Sequence, residues 1–156
     1  MLFLKIKVIL LVLFLFYGCK LDNSTLSNNQ EMITDSTVVD RHGLLSVDGN
    51  KVVNKNKEPI ALAGNSFFWS NNSWGGERFY HSKVVSWLKT DWNTSIVRAA
   101  MGVEDPGGYL DDKISNKNRV KVIVEAAIAE GVYVIIDWHS HHAEENTNEA
   151  IIFFRE

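Results

Sequence analysis

The chain has 156 residues, 46% hydrophobic and 22% charged, which is apolar enough for one globular domain with its own core and excludes a chain disordered throughout. Its formal net charge of −3, with the basic residues spread along the sequence, excludes the phosphate-neutralising surface of a nucleic-acid binder. The single cysteine, Cys19, excludes an intrachain disulfide, so stability must come from packing.

Met1 to Gly18 carries Lys5 and Lys7, then an unbroken apolar run from Val8 to Phe16, then Tyr17-Gly18-Cys19. A basic start, a short apolar stretch and a small residue predict an export signal, too short and too abruptly ended to span a membrane. The Gly18-Cys19 pair resembles the lipobox of bacterial lipoproteins, although Phe16 and Tyr17 are bulkier than is usual there. That resemblance implies lipidation of Cys19 and attachment to a membrane through the anchor. Lys20 stands where inner-membrane proteins carry aspartate, which points to the outer membrane or cell surface; a plain secretory signal is the other reading. Residues 19–36 are rich in Asn, Ser and Thr and bury too little apolar surface to fold, so they are expected to form a polar linker.

The folded part is expected to begin at Thr37. Leu44 to Val53 reads as a small hairpin turning at Asp48-Gly49-Asn50, because Asp-Gly suits the positive-φ positions of a tight turn. Asn54 to Pro59 is a polar turn, and Ile60 to Asn65 a short buried strand. Then comes Ser66-Phe67-Phe68-Trp69-Ser70-Asn71-Asn72-Ser73-Trp74-Gly75-Gly76, whose aromatics among Asn, Ser and Gly suit stacking on and hydrogen bonding to a sugar. Phe67 and Phe68 are expected inside the domain, while Trp69 is open between core and ligand surface.

Val84, Val85 and Leu88 have helical spacing and predict a helix over Ser82 to Thr90. Ser95 to Met101 is the next strand. Arg98 within it needs partners, since an unpaired guanidinium among apolar neighbours costs several kcal/mol. A structural ion pair with Asp137 and an orienting role at a site are both open. After a loop over Gly102 to Asp112, Val120, Ile123, Val124, Ala127 and Ile128 mark one face of a helix over Asn118 to Glu130, with Gly131 as its stop.

Val132 to His142 reads Val-Tyr-Val-Ile-Ile-Asp-Trp-His-Ser-His-His, an apolar run with a polar tip that predicts a central strand covered on both faces. Alternation puts Tyr133, Ile135, Asp137 and His139 on one face. An acid and an imidazole at the carboxyl end of a buried strand sit where parallel α/β folds bind ligands. Asn146 to Glu156 opens another helix that breaks off in mid-pattern, which reads as the first part of a longer protein.

Strand and helix alternate three times, the pattern of right-handed βαβ units. The predicted fold is α/β, about the first three β/α units of a (β/α)8 barrel, whose complete form takes about 250 residues. A doubly wound open sheet competes on pattern, but no Gly-x-Gly-x-x-Gly turn follows any strand.

Three segments carry a specific resemblance: Ile60 to Gly76, the Ile-Val-Arg-Ala-Ala-Met-Gly of Ile96 to Gly102, and the Tyr-Val-Ile-Ile-Asp-Trp-His-Ser-His-His-Ala-Glu of Tyr133 to Glu144. In order and spacing they resemble the bacterial endoglucanases of glycoside hydrolase family five. The resemblance implies a barrel that cleaves internal β-1,4-glucosidic bonds of cellulose with retention and needs no cofactor. It further implies that Arg98 supports the nucleophilic carboxylate and that His139 lies in the active-site cleft; the aromatic loop adds Trp69 as a candidate substrate contact. Retention needs two carboxyl groups about 5 Å apart. The family's Asn-Glu-Pro motif is missing, and Glu58-Pro59 precedes the first strand. Glu104, Asp105, Glu144 and Glu145 read as solvated loop acids. No catalytic carboxylate is therefore assigned within the chain; both glutamates are expected beyond Glu156, and the chain alone is expected to be inactive.

Two rivals stand beside this reading. His139-Ser140-His141 places two imidazoles on one strand face, as in zinc-dependent amide hydrolases, although no further histidine or cysteine set completes a site and no metal is assigned. A non-catalytic, glycan-binding surface lipoprotein would instead use Trp69, Trp74 and Trp138 as platforms.

Overall fold

The structure, a computed structural model, describes residues 36–155; the predicted signal, Cys19 and nearly all of the predicted linker lie outside the described residues. The described chain opens with a helix that periodicity does not reveal, α1 (Val38–His42). Thr37 Oγ1 accepts from the Asp40 amide at 3.1 Å while the Asp40 carboxylate accepts from the Thr37 amide at 3.0 Å, a reciprocal cap that secures a helix too short to hold by propensity. The sequence signal for it was Thr37 followed three residues later by Asp40.

The expected hairpin forms as β1 (Ser46–Asp48) and β2 (Lys51–Val53), antiparallel, with Gly49 at φ 59° in the turn. Helix α1 and the glycine that ends it gather at the amino end of the last strand. Val39 donates to Gly131 O at 3.1 Å, and Tyr133 Oη donates to Gly43 O at 2.5 Å.

The main sheet is parallel and three-stranded, in the order β3 (Gly64–Ser66), β4 (Ile96–Gly102), β5 (Tyr133–His139). The crossovers carry α2 (Ser82–Trp92) and α3 (Lys113–Glu130), and α4 (Thr147–Phe154) follows β5. Val97, Ala99 and Met101 of β4 join Val85, Leu88, Val120, Ile123 and Ala127 of the two helices in one core. Strand alternation leaves the other face of β4 to Arg98, Ala100 and Gly102.

Four expectations need correction. The strand expected over Ile60 to Asn65 pairs only over Gly64–Ser66; the segment before it is held at Ala63, whose N–H and C=O both bond Ser95. Gly64 permits the close approach, since a Cβ there would lie 1.6 Å from Ile96 O. Helix α3 starts at Lys113, five positions before Asn118, because Asp112 Oδ1 accepts from the Ser115 amide at 3.0 Å and caps it. Its expected apolar face holds except at Ile128, which is 73% exposed near the C-terminus. The central strand is β4, not β5: among the described residues β5 pairs on its β4 edge alone, and Ile135 and Ile136 are 48% and 40% exposed.

Candidate active site

Ser66 of β3 is in register with Arg98 of β4, so their side chains leave the sheet on the same face, and Ser66 Oγ accepts from Arg98 Nη1 at 2.7 Å. On the other flank Arg98 is in register with Ile135, and Asp137 lies two residues further along the same face. The guanidinium reaches that diagonal: Nη2 lies 2.5 Å from Asp137 Oδ2 and 2.8 Å from His139 Nδ1, which itself lies 3.0 Å from Asp137 Oδ2. Three neighbouring strand tips thus hold one arginine, and the partners it required are present. Arg98 and Asp137 make opposite demands on His139 Nδ1: carrying its lone pair it accepts from the guanidinium, and carrying a proton it donates to Asp137 Oδ2.

Against this cluster stands the aromatic loop after β3. Trp69 packs on His139 with ring centroids 4.2 Å apart, meets the edge of His141 at 5.2 Å, and stacks on Trp74 at 4.6 Å with 21° between planes. Its backbone is fixed on both sides. Phe67 N–H donates to Arg98 O at 2.9 Å and Ser70 N–H to Ala100 O at 3.1 Å, while Tyr80 Oη lies 2.9 Å from Phe68 O and 2.6 Å from Ala100 O. Burial pushes the Tyr80 hydroxyl far above its ordinary range, so it remains a neutral donor. Phe67 is buried as expected, but Phe68 is 53% exposed beside the two tryptophans, a correction to its expected place in the core.

Trp138 does not belong to this surface. It stands between Asp137 and His139 on β5 and so points to the opposite face, where its ring meets Tyr109 at 5.0 Å and Phe153 at 5.7 Å. His139 and His141 are not among the described residues whose ligand atoms converge in groups of three or more. Among the described residues the groups converging within 4.8 Å are His142, Glu144 and Glu145, all exposed in the loop after β5.

Glu104, read from sequence as a solvated acid, has a defined task. Its Oε1 accepts from Ser140 Oγ, from the His142 amide at 3.3 Å and from Asn146 Nδ2 at 3.2 Å, tying the loop after β4 to the loop after β5. Partial burial alone would raise its carboxyl, but the hydrogen bonds from Ser140 and the loop amides outweigh it and hold the group below its ordinary value. The tasks of Ser66, Tyr80, Asn71 and Asn116 are the others that sequence reading missed, since a polar residue carries no mark of the distant group it will bind.

A cluster of arginine, carboxylate and imidazole, overlooked by stacked indoles at the carboxyl end of parallel β/α units, defines the class: a (β/α) barrel with a polar site where such folds bind ligands. The chain belongs to the cellulase family, glycosyl hydrolase family 5, whose family model matches residues 53–156. Endoglucanase Z of Dickeya dadantii is 58% identical over 112 residues, 72% of this chain and 26% of that protein. A solved structure from Cytophaga hutchinsonii superposes with a TM-score of 0.70 at 48% identity, covering 76% of this chain and 37% of that one. The Thermobifida fusca endoglucanase Cel5A catalytic domain, solved in complex with cellotetraose, gives a TM-score of 0.67 at 28% identity, covering 76% of this chain and 38% of that one. The chain spans about a quarter of the length of the curated relatives it matches, 26% and 24% of the first two. The sheet described above is accordingly part of a (β/α)8 barrel.

Proposed function

We propose that this chain is part of an endo-β-1,4-glucanase that hydrolyses internal bonds of cellulose or a related β-glucan with retention of configuration, without a cofactor. The observation that carries the reading is the contact of Trp69 with His139, which sets a sugar-stacking indole directly against the polar strand-tip cluster. A pyranose ring against the open edge of the Trp69–Trp74 pair would bring its hydroxyls to the imidazole. Arg98, held in place by Ser66 and Asp137, would keep positive charge beside the catalytic carboxylate it supports.

Retaining hydrolysis takes one carboxyl as acid then base and a second as nucleophile, about 5 Å apart. We assign neither to this chain. Glu104 is committed to its loop contacts, and Glu144 and Glu145 are exposed. The 156 residues supply binding and support groups and are expected to be inactive by themselves. We further propose export under the Met1–Gly18 signal, with Cys19 lipidated and the protein held at the outer membrane or cell surface.

The test is to read the frame downstream of the Glu156 codon, express the complete product and assay it on carboxymethyl cellulose. Hydrolysis releasing β-configured ends, abolished by replacing a glutamate within an Asn-Glu-Pro segment about one β/α unit further on, is the expected result. Cellulose binding without hydrolysis by the complete product would favour a non-catalytic glycan-binding lipoprotein, the reading that the Trp69–Trp74 stack also serves.

A further inference from the structure

Ser70 and Asn116 are both fully buried, 46 residues apart in sequence, and joined by a 2.6 Å hydrogen bond from Ser70 Oγ to Asn116 Oδ1. A buried amide is costly unless its hydrogen-bonding capacity is met, and that of Asn116 is met completely. Its Oδ1 also accepts from Arg119 Nη1 at 3.2 Å, and its Nδ2 donates to Gly107 O at 3.1 Å and to Asp112 O at 3.0 Å. One side chain in the first turn of α3 therefore ties together the loop after β3, the loop after β4 and the cap of its own helix. Arg119 Nη1 repeats the tie through Ser70 O at 3.0 Å, and Asn71 Nδ2 extends it to Asp105 O at 3.1 Å. An apolar residue could fill the same space with no polar group to satisfy. It could not fix three backbone segments in register.

The residue before Ser70 is Trp69. We propose that Asn116 is a positioning residue for Trp69, acting through Ser70 to hold the indole at the angle where it stacks on Trp74 and meets His139. Asn116 touches none of these rings itself. The proposal rests on the reading of Trp69 as the sugar-stacking surface, and it deepens that reading by naming what sets the surface's geometry.

Two readouts on the full chain test it: the exciton couplet of the stacked indoles in circular dichroism, and cellotetraose affinity followed by tryptophan fluorescence. Trp69→Ala removes the couplet and so assigns it. Asn116→Ala removes the hub, and Ser70→Ala removes one hydroxyl and covers the case in which Asn116→Ala does not fold. The expected result, well below the melting temperature, is a collapsed couplet and about five- to tenfold weaker cellotetraose binding in Ser70→Ala, the scale of one positioning hydrogen bond. A variant that melts earlier but keeps the wild-type couplet and affinity would reduce Asn116 to a packing role and overturn the proposal. If the wild-type chain binds no cellotetraose, the sugar-surface reading falls, and the couplet alone still decides whether Asn116 positions Trp69.

Discussion

Arg98 Nη2 lies 2.5 Å from Asp137 Oδ2 across the ladder between neighbouring parallel strands, two residues out of register. The offset requires a long side chain that can fork, and Arg98 uses its other terminal nitrogen on Ser66 at 2.7 Å. Lysine offers one charged nitrogen and cannot serve Ser66, Asp137 and His139 together. Arg98→Lys should therefore weaken cellotetraose binding by the chain. Asp137→Ala should cost about 1–3 kcal/mol of stability in urea unfolding, since it leaves a partly buried guanidinium without its carboxylate. Wild-type stability in Asp137→Ala would show that Ser66 and His139 suffice for Arg98.

Gly102 ends β4 where the backbone meets Asn71. A Cβ there would lie 1.7 Å from Asn71 Oδ1, a buried oxygen with no hydrogen-bond partner. Gly102→Ala should push the Asn71 side chain off Asp105 O and destabilise the chain by about 1–3 kcal/mol, the range for overpacking a filled interior. The assignment to Asn71 is checked by a double-mutant cycle. In an Asn71→Ala background the cost of Gly102→Ala should largely vanish, and strict additivity would place the clash elsewhere.

The α1 cap is open to a simpler measurement. Thr37 accepts from and donates to Asp40, and its side chain rests against Gly131 at the end of α3, where φ is 64°. Thr37→Ala should lower stability by about 1 kcal/mol, the usual value of a helix cap, with faster amide exchange at Val39 and Arg41. Unchanged exchange would mean that packing alone holds α1.

Much of this was legible in the sequence because it is written in local patterns. The alternation at Asp137 and His139 located the strand-tip cluster, and the cost of a guanidinium in an apolar strand called for the Asp137 partner. What escaped was non-local. That β4 and not β5 occupies the middle of the described sheet depends on which strands pair, and an unbroken apolar run reads the same in either place. Trp138 looked like a platform because periodicity places a residue on a face without saying which face the helices cover. Asn116 and Glu104 were invisible for a different reason: each is defined by groups tens of residues away, Ser70 for Asn116 and Ser140, His142 and Asn146 for Glu104, that only the fold brings near.

The Glu104 latch makes a prediction with a definite sign. Its carboxyl is held below the ordinary value of 4.5 in the folded chain, chiefly by Ser140 Oγ and the His142 and His141 amides acting against burial. A lowered folded value means that the unfolded chain takes up the proton first as pH falls. The stabilisation is therefore complete above the ordinary glutamate range and is lost as pH falls through the lowered folded value. Glu104→Gln keeps the shape and removes the charge. The difference in melting temperature between wild type and Glu104→Gln should be level at neutral pH and shrink below about pH 4.5, where both side chains become uncharged. The loop it ties carries His141, whose ring meets Trp69 at 5.2 Å, so the same acid range should also alter Trp69 fluorescence in wild type more than in the variant. The absence of any gap at neutral pH would mean that Glu104 acts by shape alone, and a gap that stays constant down to pH 3 would mean that the carboxylate's charge contributes nothing to the latch.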